Sequence, residues 1–175
     1  IGSRVVHRLS LSPSSSDNQE IICMTRNVES LESRFNRDVK IVNADVTSYQ
    51  QVVKAMSGID VAFYLIHSME GSSKEWKKFA ERDRLAAENF ARAATECGVK
   101  RIIYLGGLSH GKDNELSEHL RSRKQVGEIL KTSDAKVTIF QAAVILGQGG
   151  GSFQMLQYLV ERLPAMVCPK WVLTK

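Results

Sequence analysis

Cysteine is scarce: Cys23, Cys97 and Cys168 are the only three in 175 residues, widely separated and without a C-x-x-C pair. An odd, dispersed set excludes a disulfide framework and a zinc knuckle, and reads as buried, reduced thiols. His7, His67, His110 and His119 lack the H-x-x-x-H or H-E-x-x-H spacing that gathers a metal, so no metal site is expected. No apolar run approaches the roughly 18 to 20 residues of a membrane span, and the start carries no basic-then-apolar signal pattern. A soluble, cytoplasmic protein with no membrane partner is expected. Charge of one sign is lacking too: 24 Lys and Arg against 19 Asp and Glu leave a net +5, interleaved along the chain. That balance demands no nucleic-acid partner.

What is present suffices for one core. A chain of 175 residues with 43% hydrophobic content buries one sizeable core and is too short for two ordinary domains. Five short β-branched runs, Glu20–Thr25, Val39–Asn43, Val61–Ile66, Arg101–Leu105 and Val137–Phe140, read as strands. Several are apolar almost throughout, as in Val61-Ala62-Phe63-Tyr64-Leu65-Ile66, which suits strands of a parallel sheet covered on both faces.

Helical patterns lie between them. Ile1, Val5 and Leu9 share one helical face at the start, and a serine-rich stretch, 10–18, reads as a mobile loop. Thr47-x-x-Gln50 fits a capping box ahead of Tyr49, Val52, Val53 and Met56. The longest helix is expected from Ser73 to Cys97, with Phe79, Ala86, Phe90, Ala94 and Cys97 on one face. Further helices are expected over Ser117–Lys131 and around Phe153–Leu163, ending at Pro164. Strand and helix alternating through short connections predict an α/β, Rossmann-type doubly wound parallel sheet with helices on both faces.

Several segments, in order, carry a family resemblance: Ile22-Cys23-Met24-Thr25-Arg26-Asn27, Asn43-Ala44-Asp45-Val46-Thr47, Gly58-Ile59-Asp60-Val61, and the passage from Ala93 through Gly98-Val99-Lys100-Arg101 to Leu105. They run in order from Ile22 to Leu105, and their spacing resembles the atypical, NmrA-like branch of the extended short-chain dehydrogenase/reductase superfamily, which includes nucleoside-diphosphate-sugar epimerases. The resemblance implies a nicotinamide dinucleotide as cofactor. On it, Gly2 is the third glycine of a G-x-x-G-x-x-G loop, and Arg26 ends the second strand where an Asp or Glu would grip a ribose 2′-hydroxyl. NADP is therefore expected ahead of NAD, the null being that Arg26 merely caps an exposed strand end. Asp45 and Val46 correspond to the pair at the adenine, although Asp45 reads equally as a residue preceding a helix cap. Ile66, His67 and Ser68 stand at the end of a strand where open α/β sheets place ligands, or His67 is simply a loop histidine. Ala143 and Val144 correspond to the backbone beside the nicotinamide, against a plain buried connection.

The superfamily's proton-transfer serine corresponds to Ser109. The ungapped match lays its tyrosine-to-lysine segment on His119-Leu120-Arg121-Ser122-Arg123, so that pair becomes His119 and Arg123. Spacing i, i+4 keeps both on one helix face. Imidazole still gives and takes protons near neutral pH, whereas arginine stays charged and donates hydrogen bonds to ribose or phosphate. Sliding one residue pairs Leu120 with Lys124 and leaves no acid. The remaining alternative is a solvated basic face of Arg121, Arg123 and Lys124.

By this reading the protein is an NAD(P)-binding oxidoreductase or epimerase-like enzyme acting on a small molecule. The rival is a non-catalytic module that senses NADP(H), and a DNA-associated basic domain is a weaker third reading. Any homodimer is expected to pair through the long helix. The chain itself is expected to be part of one larger NAD(P)-binding domain: it lacks an initiator Met and a strand before Gly2, and a C-terminal substrate region is expected to begin near residue 150.

Overall fold

The alternation of period-2 and period-3.6 patterns becomes the same alternation of elements in the computed structural model, which describes residues 1–11, 20–35, 39–66, 76–108, 116–143, 145, 147 and 150–163. In chain order these are α1 (Gly2–Ser10), β1 (Ile21–Thr25), α2 (Val28–Glu32), β2 (Val39–Asn43), α3 (Tyr49–Met56), β3 (Val61–Tyr64), α4 (Trp76–Glu96), β4 (Arg101–Gly107), α5 (Glu118–Leu130), β5 (Lys136–Ala142) and α6 (Gly151–Arg162). All five expected strands form. The third ends two residues before Ile66, and the fourth runs two residues past Leu105 to Gly107. Pro164 and most of the serine-rich stretch lie outside the described residues.

The strands form two parallel groups. β1 pairs with β2 from Ile21↔Val39 to Thr25↔Asn43, and β3 pairs with β4 from Val61↔Arg101 to Tyr64↔Tyr104. β5 lies on the other side of β4, giving the orders β1-β2 and β3-β4-β5. In the doubly wound order 3-2-1-4-5-6, the place between these groups belongs to the first strand. The described residues put no strand there, so β1 and β3 each keep one unladdered edge.

Alternation along β3 and β4 decides which face is inner. Ala62, Tyr64, Ile102 and Tyr104 are buried, while Val61 and Phe63 are exposed at 44% and 36%. The inner face meets Val52 and Met56 of α3, Ala87, Phe90, Ala93 and Ala94 of α4, and Val126 and Leu130 of α5 in one core. The expected apolar face of the long helix is realised in Ala86, Phe90 and Ala94, all buried. On the opposite face a Cβ at Gly2 would stand 3.8 Å from Leu65 Cδ1, which places the start of α1 across the sheet from α4 and α5. Helices therefore lie on both faces.

Three local expectations change. In α1 the buried residue is Val6, and Ile1 is 60% exposed, so the packed face is rotated from the Ile1, Val5, Leu9 stripe. The Thr47–Gln50 capping box does not form: the Asp45 carboxylate accepts the Thr47 N–H that the Gln50 side chain would have taken. The N-cap of α3 is Ser48, and Gln51 rather than Gln50 reaches back to accept the Asp45 N–H at 2.8 Å. Cys23 and Cys97 are free but half-buried rather than buried, and burial raises both thiol pKa values.

The chain divides into two compact units, Ile1–Gln141 and Ala142–Lys175. In the second, α6 buries none of its residues and exposes Met155, Tyr158 and Val160. Among the described residues no helix is long and apolar enough to cross a membrane.

Leu130 is wholly enclosed between α5 and the inner face of the sheet. Leu130→Ala is expected to cost about 2–5 kcal/mol in the full-length protein, read from the chemical denaturation midpoint. Leu11→Ala, at a 61% exposed position, is expected to change stability by no more than about 0.5 kcal/mol.

Candidate functional site

Parallel pairing brings the carboxyl ends of β1 and β2 side by side, and the chain holds that end rigidly. The Ala44 N–H donates to the Thr25 carbonyl at 2.9 Å, continuing the ladder one residue past the strands. Thr25 Oγ1 accepts the Asn27 N–H at 3.1 Å, and the Asn27 side chain caps α2 by accepting the Ser30 N–H at 3.1 Å. Arg26 is thus the exposed residue at the apex of a turn with both flanks fixed. Beside it, Asp45 Oδ1 accepts the Thr47 N–H at 2.9 Å and the Thr47 hydroxyl at 2.8 Å. These two bonds, the backbone one foremost, hold the carboxyl below its usual range. The guanidinium charges of Arg26 and Arg82 act in the same direction, against partial burial. Asn89, buried on α4, donates from Nδ2 to the carbonyls of Val46 at 3.1 Å and Thr47 at 2.9 Å. The long helix is thereby pinned to the turn that carries Asp45 and Val46.

The carboxyl ends of β3 and β4 make the second cluster. Arg123 of α5 is 7% exposed, and its guanidinium donates from Nη1 to the Ile66 carbonyl at 3.2 Å and from Nη2 to the Leu105 carbonyl. Its Cζ lies 5.0 Å from the centroid of the Tyr104 ring, and the Tyr104 hydroxyl donates to the carbonyl of Arg123 at 2.9 Å. Burial pushes the Tyr104 phenol up to about 12, with the Arg123 charge opposing and Asp83 adding to the shift. A side chain at Gly107 would come within 2.7 Å of Leu120 Cδ2, so α5 approaches β4 as closely as glycine allows. His119, half-buried, sits one turn before Arg123 on the same helix.

Arg26, Asp45, Val46 and Ile66 thus lie at strand carboxyl ends, as expected from the sequence, and Arg123 reaches the same end from a helix. Gly2 lies near Leu65, although ordinary contact at 3.8 Å does not by itself demand a glycine. Ala143 directly follows β5 and is exposed. Ser109, His67, Ser68 and Val144 lie outside the described residues. Arg121 and Lys124 are solvent-exposed, but Arg123 is not, so the solvated basic face excludes it. Sequence reasoning missed Asn89, Asp83 and Arg82. The first two are polar residues embedded in the apolar stripe of a long helix, a legible signal of a buried tether; the exposed Arg82 left none.

An α/β unit of parallel strands with an exposed cation, a carboxylate and a buried arginine gathered at the strand carboxyl ends is a Rossmann-type dinucleotide-binding domain. The chain belongs to the NAD(P)H-binding family, whose pattern it matches over residues 1–160. It is similar to the auxiliary protein GraX of Staphylococcus aureus (strain NCTC 8325 / PS 47), with 39% identity over 80 residues, 45% of this chain and 25% of that protein. It resembles the triphenylmethane reductase of Citrobacter sp. in complex with NADP(H), at TM-score 0.63 and 20% identity, over 91% of this chain and 50% of that one. It also resembles a nucleoside-diphosphate-sugar epimerase of Staphylococcus aureus, at TM-score 0.61 and 22% identity, over 80% of this chain and 45% of that one. The chain spans between a quarter and a half of the length of these proteins. Fold and family agree with the Rossmann-type architecture and the nicotinamide dinucleotide that the resemblance implies.

The Asp45 turn has a pH signature. A carboxyl that titrates lower in the fold than in the unfolded chain stabilises fully above the ordinary Asp pKa of about 3.9, and the contribution is lost as pH falls through the lowered value. The melting temperature of Asp45→Ala is expected to lie below wild type at neutral pH and to converge on it in strong acid. A gap that stays constant from pH 7 to the acid limit refutes this account of the turn.

Proposed function

We propose that the full protein is an NADP(H)-dependent oxidoreductase or epimerase-like enzyme acting on a small molecule. The observation that carries this reading is the convergence of Arg26, Asp45, Ile66 and Arg123, from four separate stretches of chain, on strand carboxyl ends where open α/β sheets hold ligands. The residues present suit the cofactor. Arg26 offers an exposed guanidinium for charge-assisted bonds to a 2′-phosphate, and the pinned turn presents Asp45 and Val46 to the adenine. On the family resemblance, Ile66, His67, Ser68, Ala143 and Val144 are assigned to the nicotinamide half and Gly2 to the phosphates. A bound nicotinamide supplies hydride transfer. Ser109 and His119 hold and move the proton at the substrate oxygen, the imidazole being suited to that work near neutral pH. On this reading a substrate region begins at about residue 150.

A second reading is a sensor that binds the cofactor without consuming it. Two observations favour it: the tyrosine and lysine of the proton-transfer segment are replaced by His119 and Arg123, and the similar protein GraX is named as an auxiliary protein. In either case a cytoplasmic protein is proposed, one that pairs, if at all, through α4, where Leu85 is 44% exposed.

Titration of the full-length protein tests the cofactor. Arg26→Ala is expected to weaken NADPH binding about tenfold, the loss of one charge-assisted contact, and to leave NADH binding unchanged. Tighter binding of NADH by wild type, indifferent to Arg26→Ala, overturns the preference. Enzyme and sensor separate on turnover with carbonyl or sugar-nucleotide substrates. If turnover is found, His119→Ala should lower kcat by about 10²–10⁴-fold with cofactor affinity kept.

A further inference from the structure

The β3–β4 ladder stops at Tyr64↔Tyr104, yet β4 continues to Gly107 while the chain beyond β3 runs on through Leu65 and Ile66. Past that point no strand pairing holds the two ends together among the described residues. The Arg123 guanidinium stands at this place, one donor on the Ile66 carbonyl and another on the Leu105 carbonyl.

We propose that Arg123 is a positioning residue for the nicotinamide end of the cofactor crevice: its fork takes over where the ladder ends, sets the spacing of the β3 and β4 carboxyl ends, and seats His119 above them. This rests on the reading of the crevice as a dinucleotide site, and it replaces direct contact with ribose or phosphate as the role of Arg123.

Three features support a clamp over a ligand contact. The group is buried and permanently charged, so its desolvation must be offset locally, and two main-chain carbonyls and the face of Tyr104 contribute to this. A planar fork holds two acceptors at fixed separation, which a lysine ammonium does not. The backbone of the same residue is also held, by the Tyr104 hydroxyl, while Gly107 admits α5 close enough for the side chain to reach both strands. The Ile66 carbonyl lies two residues past the end of β3, and the Leu105 carbonyl two residues before the end of β4. A slip there moves the nicotinamide end of the crevice and leaves the Arg26–Asp45 end, held separately by Asn89, in place.

The test compares two ligands on the full-length protein: NADPH, and adenosine 2′,5′-bisphosphate, which occupies only the adenosine end. Arg123→Lys is expected to weaken NADPH binding about tenfold while affinity for the bisphosphate stays within about twofold. Tyr104→Phe removes a clamp contact at a side chain too buried to touch ligand, and should show the same split at smaller amplitude. Unchanged NADPH affinity in Arg123→Lys, or equal loss of both ligands in step with melting temperature, overturns the proposal. So does a silent Tyr104→Phe beside a damaged Arg123→Lys, which marks Arg123 as a ligand contact. If wild type binds neither ligand, the dinucleotide reading itself fails. The clamp is then judged by hydrogen exchange in Arg123→Met: faster exchange around Ile66 and Leu105 with β1–β2 unchanged supports it, and uniform or unchanged exchange overturns it.

Discussion

Tyr64 and Tyr104 face each other across the β3–β4 ladder with ring centroids 5.7 Å apart, and Tyr64 also meets Phe90 of α4 edge to face at 4.9 Å. Both phenols are buried, so each hydroxyl needs a partner, and that requirement organises what surrounds them. Tyr104 meets it on the backbone of α5. Two helices and two strands are therefore joined at one aromatic junction, near the carboxyl end of β3. Arg123 lies over this junction and Asp83 acts on both tyrosines from α4, so the polar interior of the domain is concentrated beneath the site.

The two clusters at the strand carboxyl ends are built on different physical terms. At the Arg26–Asp45 end the charged groups are exposed or partly exposed, and a short hydrogen-bonded turn fixes the carboxylate. Solvent screens such groups, so their value lies in presenting charge to a ligand more than in stabilising the chain. At the Arg123 end the charge is enclosed, and losing either carbonyl partner would leave a buried guanidinium donor without an acceptor. One end is suited to recognising a ligand, the other to holding geometry. α4 serves both, through Asn89 on the Val46–Thr47 turn and Phe90 on Tyr64.

Among the described residues the strands fall into two groups, β1-β2 and β3-β4-β5. Each group keeps its own parallel register, and α4 and α1 contact residues of both sides through Asn89 and through Gly2 near Leu65. Strand geometry is a local matter of β-branched residues and ladder bonds, and among the described residues both groups are reached by helices.

Strand positions, the buried face of α4 and the start of α5 at Ser117 were readable from the sequence, because hydrophobic period and capping chemistry act over a few residues. The places of Arg26 and Asp45 at strand ends followed from the strand pattern together with the family resemblance, because a strand end is a local feature. The roles of Arg123 and Asn89 were decided by tertiary structure alone. Their partners lie 18 to 57 and 42 to 43 residues away. A buried polar group is defined by acceptors that only the packed fold brings to it, and no spacing along the chain records which carbonyl will be left without a ladder partner.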